Sequence, residues 1–518
     1  MGHFKKITSI FAVLLSCVLL FSACKSTEKI KETQNTLDTD IQGEPQQGGS
    51  LTLGITQEPD SFDPYLAAAA GTKEIIYNFF DGLVKLLPNG TFEPALAEKY
   101  DVSDDAKIFT FQIRQGVKFH NDKDLTVGDV VYSLENASGL GEDKTLKISQ
   151  LSIIDKIEAD ADNNQVIVTL KDSDADFISY MTLAIVPQGY TEQATKPIGT
   201  GPFVFTEYQP QKYVKMTKNE NYWRDRKAYL DDVTFLIMPS ADAAIVDLQA
   251  GNIDIFPYLT ADKKDLLEDK YNFITTDSNM VQIWGLNNKQ APFDDPIVRK
   301  AMNMAIDKQM LIDTVTFGEG KVLESGMAPA MGQYFNGDLD SEYNPEAAKE
   351  LLEENGYQDL KITITVPGNY VIHVQSAEVV AAQLEQIGVE AEIKSVDWGT
   401  WLSNVYQGRE YQSTIIALTF DYVAPATVLK HYYSSSDADF INYENSEFDT
   451  LYEKAQSITD VDERIALYHQ MQKLLQDDSA SVFLQNPGVQ TAVSKKLAGY
   501  TTYPQYVQDM YEVYYIAD

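Results

Sequence analysis

Between Lys361 and Asp421 the hydrophobic pattern of the chain switches repeatedly between a strand period and a helix period, which leaves few folds open besides a parallel α/β unit. Lys361 to Val366 alternates Ile362, Ile364 and Val366 with polar residues, and Pro367-Gly368 breaks the strand. Val371 to Ile387 then carries Val374, Ala377, Glu378, Ala381 and Leu384 at helical spacing, with Gly388 placed as a left-handed stop. Val389 to Val396 is strand again, Trp398 to Tyr406 is long enough for a short helix, and Gln412 to Phe420 returns as a β-branched strand. Strands joined by helices are parallel, and ligands of open α/β sheets gather outside the carboxyl ends of such strands. Phe420-Asp421-Tyr422 lies at one of those ends. Asp421 has two readings: a turn or cap residue accepting backbone N–H groups, or a counter-charge for a cationic ligand group, with Phe420 and Tyr422 excluding water.

A chain of 518 residues exceeds one ordinary core, so at least two lobes are expected. The formal charge of −36 argues against a nucleic-acid partner. The 2 cysteines, Cys17 and Cys24, both precede the body, which therefore has no disulfide and no thiolate metal site. The 5 histidines are scattered without an HExxH pattern, so neither a metal centre nor a cofactor is expected.

At the N-terminus, Lys5-Lys6 precedes a short apolar core, Ile10 to Phe21, well under the roughly 20 residues of a spanning helix. It reads as an export signal. Phe21-Ser22-Ala23-Cys24 resembles a bacterial lipobox, which implies cleavage of residues 1–23 and lipidation of Cys24. Phe21 stands where Leu is usual. Residues 24–47 are polar and lack aromatics, as a disordered tether does.

The body opens with GGSLTLGITQEPDSFDPY from Gly48 to Tyr65. Further blocks follow: YNFFDGLVKLLPNGTFEPALAEKYDVSDD (77–105), FTFQIRQGVKFHNDKDLTVGDVVYSL (109–134), PIGTGPFVF (197–205), LQAGNIDI (248–255), PFDDPIVRKAMNMAIDK (292–308), YNPEAAKELLEENGY (343–357), IGVEAEI (387–393) and FDYVAP (420–425). In this order they resemble the family 5 extracellular solute-binding proteins, the dipeptide and oligopeptide receptors of ATP-binding cassette importers, over nearly everything after Gly48. Locally the blocks read as scaffold. Thr126, Asp295 and Asn344 are helix N-caps, the last two followed by proline, with Gly318 and Gly356 beyond helix ends. The helix after Asp295 carries Val298, Ala301, Met302, Ala305 and Ile306 on one face, and Gly199-Thr200-Gly201-Pro202 reads as a tight turn bringing backbone to the cleft.

The resemblance implies an α/β, two-lobed fold like that of periplasmic binding proteins, with a hinge, a ligand cleft between the lobes and an extra subdomain inserted in the first lobe. Lobe I would comprise residues 48–87, 196–283 and a C-terminal return at 485–518, with the inserted subdomain at 88–195 and lobe II at 284–484. Closure about the hinge would then be stabilised by a ligand touching both lobes. It further implies a lipid-anchored receptor on the extracellular face of the membrane or its periplasmic side. The receptor would be monomeric, would capture dipeptides or oligopeptides, and would hand them to membrane permease subunits. In the peptide-binding members an Asp in a motif similar to FDYVAP holds the ligand's α-ammonium, a role that falls on Asp421. Candidate cleft walls are Tyr65, Trp398, Trp401, Phe420 and Tyr422.

Two positions depart from the pattern. Leu418 stands where peptide binders commonly have Trp, and Val374 and Gln375 fall where an arginine takes a dipeptide's carboxylate. A non-peptide solute, such as a metal chelate or an oligosaccharide, therefore stays open. A secreted surface hydrolase is the rival class, but neither GxSxG nor a distinct acid pair marks a catalytic centre, so no enzyme is expected. A purely structural surface protein would bind no solute at all.

Overall fold

The computed structural model describes residues 43–503 and 505–517. The expected export signal, Cys24 and most of the expected tether lie outside the described residues. The last residues assigned to the tether differ from expectation: Pro45 and Gln46 pair antiparallel with Ile516 and Tyr515. Edge pairing of this kind uses backbone groups alone, so a segment with no apolar face can make it.

The lobes share a twelve-stranded sheet whose order is Glu390–Val396, Lys361–Pro367, Ser413–Thr419, Met280–Leu286, Ser481–Ser494, Ile255–Leu259, Ser50–Ile55, Asp232–Ile237, Tyr213–Lys218 and Phe203–Gln209. Strands Tyr271–Asp277 and Gly320–Val322 also pair with Ser481–Ser494. That long strand belongs to both lobes. Ser481 to Gln485 pair with Gly285 to Gln282, whereas Gly488 to Ser494 pair with Asp277 to Tyr271. The other crossing, Ser278-Asn279, separates strand Tyr271–Asp277 from strand Met280–Leu286. It comes earlier than the expected division after Ile283, because Ile283 sits inside a strand paired along its whole length with Ser413–Thr419.

The αβ unit forms as its periodicity predicts. Lys361–Pro367 is flanked by Glu390–Val396 and Ser413–Thr419, both parallel to it. Helix Val371–Gln386 ends before Gly388, whose φ of 82° is the left-handed conformation that glycine adopts without strain. Each face of the lobe II sheet buries its own core. Val281, Ile283, Ile416, Leu418 and Phe420 face one, Trp284, Leu286, Ile364 and Ile415 the other. The helix after Asp295 is shorter than its apolar stripe. It stops at Ala305, Ile306 is extended, and Asp307 accepts from the Met310 N–H to cap a second helix, Lys308–Val315. The Thr126 cap forms a reciprocal box with Asp129.

In lobe I a four-stranded sheet of Ala97–Val102, Ile108–Ile113, Gln165–Leu170 and Ile154–Asp160 carries helix Val127–Ser138. Its buried residues, Phe109, Phe111, Val166 and Val168 among them, join one core with Leu53 and Phe235 of the main sheet and with Phe79 after helix Ala70–Ile76.

Candidate functional site

Strand parity fixes the direction of the Phe420-Asp421-Tyr422 corner. Ile416, Leu418 and Phe420 point into the lobe II core, so Phe420 is 2% exposed and Asp421 turns away from that core. Opposite it, helix Ala70–Ile76 of lobe I begins without a capping side chain of its own. Gln57 Oε1 takes the Gly71 N–H of its first turn, and the Asp60 carboxylate takes the N–H groups of Ala68 and Ala69 just before it and the Thr72 hydroxyl. Lys73 on this helix reaches across, and its Nζ lies 3.2 Å from Asp421 Oδ1, with the lysine 34% and the aspartate 51% exposed.

This ion pair stands in a cleft of about 650 Å³ whose walls come from both lobes. From lobe I come Tyr65, Tyr77, Asp81 and Lys85, and from lobe II Asp421 and Tyr422, with Tyr506 contributed by the C-terminal return. Tyr65 donates its hydroxyl to the Ala184 carbonyl at 2.8 Å, and Tyr422 packs edge-on against Tyr180 with ring centres 5.1 Å apart, so both rings are held in place. Asp81 accepts from Trp223 Nε1 at 2.9 Å, the Thr200 hydroxyl at 3.0 Å and the Tyr222 hydroxyl at 3.2 Å. Lys85 is committed to Asp509 at 2.8 Å; burial opposes its charge, but Asp509 more than restores it and holds the ammonium above the usual lysine range. Lys73 is different in finding its counter-charge on the opposite lobe.

A smaller cavity of about 70 Å³ adjoins the cleft at the hinge and shares Gln505 and Tyr506 with it. Glu74, the residue after Lys73, lines it and is 2% exposed. Burial pushes its carboxyl up to about 7, against hydrogen bonds from the Tyr258 hydroxyl and Gln508.

Of the expected walls, the structure brings Asp421, Tyr422 and Tyr65 together around the cleft. Phe420 and Trp401 are instead core residues; Trp401 is 3% exposed, and its Nε1 donates to Thr414 Oγ1 at 2.9 Å. Trp398 stacks on Trp401 with ring centres 5.2 Å apart and meets Tyr370, away from the cleft lining. The reason is local. After the α-helical turn Trp398–Thr400 the chain is π-helical over Trp401–Gln407, which tucks Trp401 against the sheet and stacks Trp398 outside it. Gly199 and Gly201 serve close packing rather than a ligand. A Cβ on either would meet the Asn78-Phe79 backbone, at 2.1 Å from Phe79 O for Gly199 and 2.5 Å from Asn78 O for Gly201.

Sequence reasoning missed Lys73, Glu74, Asp81 and Tyr506. A signal for the first two was present, since Lys73 and Glu74 are the charged residues of an otherwise uncharged run from Ala67 to Phe80. Among the described residues no group of three or more His, Cys, Asp or Glu is placed to hold a metal ion, and no helix is long and apolar enough to cross a membrane. The arrangement offers a carboxylate and an ammonium on facing walls, chemistry that can hold a charged solute.

Residues 91–440 match the family described as bacterial extracellular solute-binding proteins, family 5 middle region. The chain belongs to this family. Among family 5 relatives it is 28% identical over 541 residues to the oligopeptide-binding protein AppA of Bacillus subtilis, covering 97% of each chain. It is 27% identical over 539 residues to heme-binding protein A of Haemophilus influenzae, covering 95% of this chain and 96% of that one. Among solved structures it is similar to the periplasmic binding protein DppA of Helicobacter pylori in complex with the peptide STSA, with a TM-score of 0.72 at 26% identity, covering 91% of this chain and 99% of that one. The two-lobed family 5 architecture is therefore the fold of this chain.

Proposed function

We propose that this protein is the peptide receptor of an ATP-binding cassette importer, tethered to the membrane through a lipidated Cys24. In this reading it is a monomer that captures a peptide between its lobes and delivers it to a membrane permease without altering it. The observation that carries the reading is the position of Asp421, a carboxylate on the lobe II wall of the cleft whose counter-ion is Lys73 of lobe I. A peptide's α-ammonium takes the place of the Lys73 ammonium, and its backbone and side chains fill the remaining space against Tyr65 and Tyr422. Binding then links the two walls and favours closure, because the closed state gains contacts that the open state lacks. The AppA and DppA resemblances support the peptide as the solute class.

The test is calorimetry on protein that has been unfolded and refolded to remove bound solute. A mixed tripeptide pool with free N-termini binds, the N-acetylated pool binds at least tenfold more weakly, as expected for loss of a charge-assisted bond, and Asp421→Asn removes the difference. Equal binding of the free and acetylated pools by the native protein would overturn the role given to Asp421.

A further inference from the structure

The small cavity beside the hinge contains a carboxylate without a cation. Glu74 is 2% exposed, and among the described residues it forms no ion pair, its carboxyl being held by the hydroxyl of Tyr258 and by Gln508. The cavity wall also carries Thr276, 6% exposed, whose hydroxyl has no hydrogen-bond partner. Burial disfavours the ionised form of this carboxyl, and a cation placed beside it in the cavity would favour that form. The cavity, at about 70 Å³, has room for a few waters or for an ammonium head with the methylenes behind it.

Its position relative to Asp421 gives the pocket a use. Tyr506 lines both the cleft and the cavity, and it feels the charges of both Asp421 and Glu74. The ring thus lies near two carboxyl groups, Asp421 in the cleft lining and Glu74 in the cavity lining. A ligand anchored by its α-ammonium at Asp421 has its first side chain next to the entrance of the second pocket.

We infer that the Glu74 cavity is a subsite for the side chain of the ligand's first residue, and that it selects a primary ammonium such as that of lysine or ornithine. This rests on the peptide reading given above and extends it to a residue preference. The side-chain ammonium supplies Glu74 with its missing counter-charge, donates to the unpartnered Thr276 hydroxyl, and leaves its methylenes beside Tyr506. The Tyr258 hydroxyl stays on the carboxylate and holds its orientation. Neutral side chains of the same length fill the space but leave the carboxylate unpaired.

The experiment compares four tripeptides on the full protein by calorimetry: Lys-Ala-Ala, its norleucine counterpart, Ala-Lys-Ala, and N-acetyl-Lys-Ala-Ala. The lysine-initial peptide is expected to bind on the order of tenfold tighter than the norleucine one and tighter than Ala-Lys-Ala. In Glu74→Gln the lysine preference falls to about onefold, and in Thr276→Val, which keeps the carboxylate, it is reduced but not lost. The second variant and the comparison within the native protein stand if Glu74→Gln does not fold. Equal affinity of native protein for the lysine and norleucine peptides, with the acetylated peptide still weak, overturns the subsite and leaves a water-filled hinge cavity. A retained lysine preference with no sensitivity to acetylation overturns the Asp421 reading instead. No binding of any of the four overturns both.

Discussion

Arg464 of helix Val461–Asp477 donates to the carboxylate of Asp176, joining lobe II to the segment that follows the four-stranded sheet of lobe I, with side chains only 7% and 4% exposed. The same carboxylate accepts from the Tyr468 hydroxyl at 3.1 Å and the Ala426 N–H at 3.3 Å. Asp174 is buried beside it; burial raises its pKa, and the Arg464 charge opposes the rise. Arg464→Met therefore strands one buried carboxylate and removes the charge that helps ionise another. The expected loss is about 3–5 kcal/mol of unfolding free energy, read from a urea midpoint, and Arg464→Met combined with Asp176→Leu recovers most of it. A loss under about 1 kcal/mol would show that water reaches this pair.

Glu74 predicts a pH dependence of the opposite sign to that of a salt-bridged acid. Burial lifts its carboxyl from 4.5 to about 7, so the folded chain holds that proton more tightly than the unfolded chain. Its contribution is then greatest below pH 4.5 and declines as pH rises to about 7, beyond which it is flat, a total span of up to about 3 kcal/mol. Asp439, also raised to about 7 by burial, adds a decline of the same sign, so the measurement must be the difference between native protein and Glu74→Gln. That difference should change between pH 4.5 and about pH 7 and level off above it. A constant difference would mean that Glu74 is solvated.

At the hinge the sign reverses. Lys264 of lobe I lies 2.6 Å from Glu319 in lobe II, and the Thr275 hydroxyl adds a bond at 3.0 Å. Burial raises the Glu319 pKa, but Lys264 and the hydroxyl and amide donors outweigh it and leave a net lowering from 4.5. The stabilisation is therefore present above pH 4.5 and is lost as pH falls below it. Both side chains are partly solvated, so Lys264→Met costs about 0.5–1 kcal/mol at pH 7 and close to nothing at pH 3 by denaturant titration. An undiminished cost at pH 3 would mean that Lys264 acts through packing.

Much of the fold could be read from local chemistry, because helix caps and hydrophobic periods are short-range signals. Val371–Gln386 with Gly388, and the Thr126 and Asn344 caps, formed where the residues placed them. The division of the sheet after Asp277 was not legible, since strands on both sides of the crossing have the same apolar character and only their partners differ. The site was legible in part. An acid at the end of a parallel strand is a local pattern, so Asp421 could be found. Lys73 and Glu74 matter through contacts with residues 348 and 184 positions away, Asp421 and Tyr258, that no window of sequence contains. Trp398 and Trp401 misled for a related reason: an aromatic residue looks the same in sequence whether it packs a core or lines a cleft.

Lys73 sets the final prediction, because under the role proposed for Asp421 it would compete with the ligand for one carboxylate. An ion pair this exposed is worth about 0–1 kcal/mol, and a ligand ammonium must forgo that amount to reach Asp421. Lys73→Met should therefore raise the affinity for peptides with a free N-terminus by up to about fivefold and leave N-acetylated peptides unchanged. The gain should shrink as salt is raised from about 0.01 M to about 1 M, since the pair being broken is screened at the surface. Calorimetry at the two salt concentrations separates this from a packing effect. If Lys73→Met instead weakens binding of peptides with a free C-terminus and spares their amides, the lysine holds the ligand's carboxylate, and its pairing with Asp421 is only its resting position.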